Sequence, residues 1–404
     1  MSYLSLKKYE YSHHGDSPKE YKRRFECYDS KHIDFNIGSY PAFFVETKEI
    51  RDSVCNLYKM DRTVIKLCQE LPAEAITHFM VRCLMDEVQI SNSIEGVNST
   101  RKEIRDAYEK KSKRFKGIVS KYQLLLSGET IPMISCKDIR TLYDDLVLAE
   151  VLEESEKDRP DGKIFRKDHV SVYGNKMESI HEGIYPEEAI IDSMNLALKY
   201  LNNDSEELLY RVAVFHYMLG YIHPFYNGNG RLNRFISSYM LSHDLSPLIG
   251  FRLSYSVKDE QSSYNKAFDE CNDKANFGEL TMFVEVFLNI LTESMSNLIL
   301  SLEKRKTAWD KYAGNVSALP FGDKKYYPEV YTALIMYELF ATEGAGMNDI
   351  MNGANISRPT LQKILESIKE TGLLKVDDSG KRFSYGIRLE KIDELLNAAS
   401  TLKK

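Results

Sequence analysis

His223-Pro224-Phe225-Tyr226-Asn227-Gly228-Asn229-Gly230-Arg231-Leu232-Asn233-Arg234 is the stretch on which the reading of this chain turns. It places an imidazole, a glycine-bearing turn and two guanidinium cations side by side. Before it runs an apolar series, Leu208, Leu209, Val212, Ala213, Val214, Phe215, Met218, Leu219 and Ile222, with the spacing of a buried helix. Pro224 predicts the end of that helix, because the residue before a proline is pushed out of the helical region. Gly228 and Gly230 let the backbone take positive φ and approach a ligand closely. A second helical pattern begins at Arg231, with Leu232, Phe235, Ile236, Tyr239 and Met240 on its apolar face. A glycine turn that opens a helix aims several free N–H groups one way, which makes an anion site. Arg231 and Arg234, three residues apart, add two cations on one face. A polyphosphate with an imidazole at its edge is the expected occupant. The alternative is a helix–turn–helix corner whose glycines serve geometry, whose His223 caps a helix and whose arginines meet surface carboxylates. Any one residue fits that alternative; the coincidence of all of them argues against it.

The rest of the composition sets bounds. The chain has 404 residues, enough for a large core and two to three domains. With 26 Tyr, 18 Phe and 1 Trp, disorder is not expected over most of it. A net charge of −6 gives no global pull toward nucleic acid or an anionic membrane. Cys27, Cys55, Cys68, Cys83, Cys136 and Cys271 are scattered, without Cys-x-x-Cys or zinc-ligand spacing, and read as reduced side chains. The start, Met-Ser-Tyr-Leu-Ser-Leu-Lys-Lys, lacks an apolar signal core, and no run reads as membrane-spanning. A cytoplasmic protein without a membrane partner is the expectation.

The stretch from His223 to Arg234 resembles the signature of the Fic family, His-Pro-Phe-x-(Asp/Glu)-Gly-Asn-Gly-Arg-x-x-Arg, and the resemblance extends over roughly residues 40 to 300. It implies transfer of AMP from ATP to a Ser, Thr or Tyr hydroxyl of a protein, with Mg²⁺. It implies that His223 deprotonates the target hydroxyl, and His223 is also the one residue of the motif that accepts a proton near neutral pH. Gly228, Asn229 and Gly230 are expected to donate backbone N–H groups, and Asn229 its side-chain amide, to the α- and β-phosphates. Arg231 is assigned to the β-phosphate and Arg234 to the γ-phosphate, since an arginine fork offers several donors in fixed geometry. Phe225 is expected to anchor the loop, and Tyr264 to border the base pocket or simply to pack. His216, inside the apolar helix, reads as a core residue. Asn227 departs from the family pattern: an acid there helps hold Mg²⁺, whereas an amide oxygen ligates a hard cation without charge. Either metal use is altered or Asn is a tolerated substitution.

Further upstream, Glu95-Gly96 ends a helical pattern through Ile76, Phe79, Met80, Cys83, Leu84 and Val88, with Gly96 placed as the C-terminal cap. Ser91 lies four residues before Glu95, on the same face. Ser-x-x-x-Glu-Gly resembles the inhibitory motif of self-regulated Fic proteins, which implies that Glu95 pairs with Arg234 and takes the γ-phosphate's seat. Capping of a helix end is the plain alternative.

The pattern along the chain predicts a mainly α fold. Residues 1–40 read as an exposed N-terminal arm, in which His13, His14 and Gly15 form no metal tract. Residues 41–125 read as a helical region bearing the inhibitory motif, with a break at Leu71-Pro72 and a basic cluster from Lys110 to Lys116 that reads as a solvated face or linker. Residues 126–312 read as the Fic core, with a small β-hairpin from Asp161 to Val172. Its Ile164, Arg166 and Val170 resemble the flap on which a target segment is laid by strand addition; a plain hairpin is the alternative. Residues 326–404 read as a winged-helix-like module of three helices and a hairpin whose turn falls at Asp377 to Gly380. The third helix is expected to be capped by Ser357. Residues 326–390 hold 7 Lys+Arg against 9 Asp+Glu, a poor footprint for DNA, so a protein–protein or intramolecular role is favoured. Self-modification and a homo-oligomer both stay open. So do two rival functions: removal of AMP or transfer of another nucleotide, and a nucleotide-sensing transcriptional regulator with a degenerate site.

Overall fold

Helical spacing governs most of the chain, and the computed structural model, which describes residues 3–13, 15–173, 179–378 and 383–401, is mainly helical. Two compact units emerge. One is made of Met1–Arg62 and Leu84–Asn297, the other of Thr63–Cys83 and Leu298–Lys404.

The first unit opens with α1 (Leu6–Ser12), α2 (Ser17–Phe25) and an antiparallel pair, β1 (Ser30–Ile37) and β2 (Tyr40–Val45). The expected exposed arm is therefore wrong. Leu6 is fully buried, its N–H donates to Asn276 Oδ1 at 3.1 Å, and the buried Arg24 pairs with Glu279 at 2.9 Å. Polar composition hid this: Tyr21 and Phe25 pack on Phe43 while buried charges such as Arg24 and Glu279 pair beside them. His13 is exposed, and His14 lies outside the described residues.

Next come α3 (Lys48–Gln69) and α4 (Ala73–Ile94), parted at Leu71-Pro72 as the sequence predicts. After α5 (Arg101–Tyr108), started by a Thr100–Glu103 capping box, the basic cluster forms an exposed turn pinned by the buried Phe115. There follow α6 (Lys116–Ser127), α7 (Cys136–Tyr143), a π-helical turn at Asp144–Leu148, α8 (Ala149–Glu154) and a 3₁₀ turn at Glu156–Asp158. The hairpin is β3 (Ser171–Tyr173) with β4 (Ser179–Glu182), and residues 174–178 lie outside the description. Beyond it stand α9 (Glu187–Leu201), α10 (Leu208–Ile222), α11 (Asn229–Asp244), α12 (Pro247–Gly250), α13 (Leu253–Asp259), α14 (Gln261–Asn272) and the long α15 (Thr281–Ala313).

By length and composition α15 could cross a membrane, with a mean hydropathy of 1.3 over its best window, which corrects the expectation that no run qualifies. Half of that window is buried inside the protein, and Phe283, Val284, Phe287, Leu288 and Leu291 are core residues.

The second unit adds α16 (Tyr327–Phe340), β5 (Ala345–Gly346), α17 (Met347–Ala354), α18 (Arg358–Glu370), β6 (Leu374–Asp377), β7 (Ser384–Ile387) and α19 (Leu389–Thr401). The strands form one sheet in the order β5-β7-β6. Its expected turn residues Ser379 and Gly380 lie outside the described residues. Ser357 makes no capping hydrogen bond; its hydroxyl meets Thr360 Oγ1 at 2.9 Å instead. Val330, Leu334, Ile350, Leu361, Leu365 and Ile392 belong to its apolar core.

Candidate active site

Everything singled out between His223 and Arg234 lies between the end of α10 and the second turn of α11. The break at Pro224 leaves His223 as the residue after the helix, in a left-handed conformation (φ 51°), its N–H on Leu219 O at 2.9 Å. The imidazole is half-buried. Burial pushes its pKa down to about 4, against the raising pull of the Gly220 backbone and with further lowering by Arg166. The ring is therefore neutral at pH 7 and keeps a free lone pair.

The loop is clamped from both sides. Phe225, fully buried, stacks on Tyr143 with centroids 3.6 Å apart and meets Phe165 edge-on. Tyr143 Oη donates to Asn227 O at 3.0 Å. The Asn229 side chain closes a two-way bridge, with Phe225 N donating to Oδ1 (3.0 Å) and Nδ2 donating to Phe225 O (2.8 Å). One of its two amide hydrogens and its oxygen are thus committed to the loop, which leaves the second amide hydrogen for the phosphate role that the sequence suggests. Gly228 takes φ +80° as expected, but Gly230 does not, because α11 already begins at Asn229. The Glu95 carboxylate lies directly against Gly230, so that a Cβ there would have to displace it. Gly228 N donates to Asn227 Oδ1 at 2.6 Å. That leaves the first-turn N–H groups of Asn229, Gly230 and Arg231, which have no acceptor within the helix, as the donors of an anion seat.

The two arginines are treated differently. Arg234, 3 % exposed, is fully engaged: Nε donates to Ser91 Oγ (3.0 Å), Nη2 to Ser91 O (2.9 Å) and Nη1 to Glu95 Oε1 (2.9 Å). The structure so brings Ser91 and Glu95 onto Arg234 across 143 and 139 residues of chain. Gly96, at φ +74°, ends the α4 turn that presents them. Arg231 is 1 % exposed, yet its Nε and Nη2 meet no partner among the described residues. Two donors of this buried guanidinium are left free, and the buried Glu150 carboxylate is a charge that feels it.

Other expected residues are placed elsewhere. Ile164, Arg166 and Val170 lie before the hairpin, not in its strands. Arg166 is fully buried, with Nε on His223 O at 2.9 Å and Nη2 on Ile184 O at 2.8 Å, so it braces the loop and offers nothing to a docked segment. Val170 O does accept Gly183 N (2.9 Å), next to the strand pair. Tyr264 turns its hydroxyl to His216 Nε2 at 2.7 Å, and His216, held down to about 3 by burial, bonds Ser237 Oγ through Nδ1. His216 is the core residue its position predicts, and the Tyr264 hydroxyl is committed to it.

Sequence reasoning missed four groups here. Tyr143 and Arg166 hold the loop, Asp158 lies with Oδ2 3.4 Å from Asn227 Nδ2, and Glu87 is buried one turn before Ser91. None carries a local signal, since each contact joins residues far apart in the chain.

The His223 loop and the arginine pair fall inside a segment that is similar to a known domain family. Residues 134–241 match the profile of the Fic/DOC family, whose members generally transfer a nucleoside monophosphate to proteins. Among solved structures, the chain resembles a Fic family protein from Desulfovibrio desulfuricans G20 at 18 % identity and a TM-score of 0.51, covering 83 % of this chain and 96 % of that one. A Fic domain containing signaling protein from Bacteroides thetaiotaomicron VPI-5482 (17 % identity, TM-score 0.43, 62 % and 97 % covered) and residues 134–508 of Fic-1 from C. elegans (20 %, 0.41, 62 % and 74 %) are also similar.

Proposed function

We propose that the chain is a protein adenylyltransferase that moves AMP from ATP to a protein hydroxyl and is held back by Glu95. The observation that carries this reading is the Glu95 carboxylate, seated on Arg234 and against Gly230 at the start of α11. A carboxylate in an anion seat occupies what a terminal phosphate needs, and its removal frees both the cation and the helix N-terminus.

In the active arrangement Arg234 meets the γ-phosphate. Arg231, buried and with Nε and Nη2 unpartnered among the described residues, meets the β-phosphate, and the first-turn N–H groups of α11 hold the oxygens between them. His223, neutral at pH 7, takes the proton of the target hydroxyl as its oxygen attacks the α-phosphorus, and pyrophosphate leaves with the bond's electron pair. Mg²⁺, when bound, would neutralise phosphate charge beside the loop; the amide oxygen of Asn227 is a hard donor by class but already accepts from Gly228 N at 2.6 Å. The β3–β4 pair offers an edge for a target segment. The second unit is read as winged-helix-like, with a net of −2 over residues 326–390 supporting a protein rather than a DNA partner.

The test is incubation of wild type and Glu95→Gly with ATP labelled at the α- or the γ-phosphate, in Mg²⁺, followed by denaturing gels. Label from the α-position, in Glu95→Gly well above wild type, is expected. Label from the γ-position only would mean phosphoryl transfer, and equal α-labelling of folded wild type and variant would end the inhibitory reading.

A further inference from the structure

Position 227 is neutral, but the carboxylate it lacks is close at hand. Asp158 ends the 3₁₀ turn Glu156–Asp158, and its Oδ2 sits 3.4 Å from Asn227 Nδ2. Among the described residues no salt bridge engages Asp158, and it is half-buried at the rim of the loop. Asn227 cannot turn its amide oxygen freely, since Oδ1 accepts Gly228 N at 2.6 Å. The amide NH₂ therefore faces the Asp158 carboxylate. An acid at 227 would set two carboxylates against each other at this distance, which disfavours ionisation of both. Asn at 227 and Asp at 158 thus form a matched pair that keeps one negative charge at the place. The same corner carries Arg231, 1 % exposed, whose Nε and Nη2 meet no partner among the described residues. Tyr143, whose hydroxyl donates to Asn227 O, feels both the Arg231 cation and the Asp158 charge, so the three groups share one neighbourhood.

We propose that Asp158 supplies the carboxylate ligand for the nucleotide's divalent cation, taking over the charge absent from position 227. Asn227 then contributes its geometry, holding Asp158 through Nδ2 and the loop through Oδ1. A hard dication with several retained waters needs only one or two carboxylates beside phosphate oxygens, and the pair provides one. The inference rests on the nucleotide reading above.

The experiment is calorimetric titration of ATP into Glu95→Gly protein, once with Mg²⁺ and once in EDTA, with Asp158→Asn and Asp158→Asn/Asn227→Asp made in that background. Asp158→Asn should remove the Mg²⁺-dependent gain in affinity, by about tenfold or more given what even outer-shell changes do to metal sites, and leave the EDTA value unchanged. The swap should restore the gain, because the charge returns on the other partner. An unchanged Mg²⁺ gain in Asp158→Asn overturns the assignment. So does a loss that the swap fails to restore, which would mean that Asp158 only shapes the loop. Absence of ATP binding to Glu95→Gly in both conditions would overturn the nucleotide reading itself, and is distinct from loss of the Mg²⁺ gain alone.

Discussion

His223 is neutral at pH 7, as the proposed role of proton acceptor requires. Burial lowers its pKa to about 4, and of the charged groups acting on it the Glu95 carboxylate is the one that pulls the value upward. A group whose pKa lies below the ordinary imidazole value loses its proton early, so between pH 6 and 8 its protonation state hardly changes. The rate of α-label transfer by Glu95→Gly at saturating ATP and Mg²⁺ is accordingly expected to stay flat from pH 8 to 6 and to fall only below that. Removing Glu95 takes away a raising influence, so the acid limb should move down rather than up. A limb centred near pH 6.5 in single-turnover measurements would mean that the histidine is exposed to solvent during the reaction. The type of residue at this site was legible in the sequence, and its duty in part was not. His223, Gly228 and Arg234 announce themselves because their chemistry is local. Asn229 looks like a donor to phosphate, yet its amide oxygen and one amide hydrogen are taken up by Phe225, bonds that only the closed loop reveals. Arg166 alternates as a strand residue would, but three backbone carbonyls from distant segments, His223, Ile184 and Ile222, together with the nearby Asp168 carbonyl, draw it inside.

At the scale of the element, α4 carries two acids with different roles. Glu95 at its end reaches Arg234, while Glu87, two turns earlier, is 1 % exposed and accepts from Ser254 N and Oγ. No cation pairs with Glu87 within salt-bridge distance among the described residues, and burial pushes it up to about 7. A carboxyl that holds its proton more tightly when folded stabilises the fold fully below its unfolded value of about 4.5 and loses that contribution as pH rises through about 7. Glu87→Gln should therefore gain on wild type as pH goes from 5 to 8, by on the order of 2 kcal/mol. Urea midpoints at the two pH values measure this, and an identical difference at both would show that Glu87 is not the titrating group. The helix itself was readable from its apolar spacing and its Gly96 stop. Glu87 was not, because a buried acid inside a helical pattern looks the same as one facing water until the partner helix, α13 with Ser254, is in place.

At the scale of the whole molecule, the boundary expected near residue 326 does not mark where packing changes. The second unit takes Thr63–Cys83 from α3 and α4 and the end of α15 along with everything after it. His78 lies 4.3 Å from Tyr337, ring to ring, Arg82 Nη1 donates to Ala341 O at 3.2 Å, and Trp309 meets Phe340 edge-on. Patterning cannot show this, because a helix shared by two cores has the same apolar spacing as a helix in one. An appended module should come away cleanly; one woven from the first helices should not. A chain ending at Ala313 would strip His78, Arg82 and Trp309 of the partners just named, and Tyr312 of the apolar core it shares with Val330, Leu334 and Ile335. Each apolar side chain of such a core contributes about 1.5–3 kcal/mol when buried, so the loss of even a few outweighs a typical net stability. The truncated chain is expected to aggregate, or to melt about 10 °C or more below the full protein. Size-exclusion chromatography and a thermal scan decide between the two pictures. A monodisperse truncated chain with an unchanged midpoint would make residues after 313 a detachable module after all.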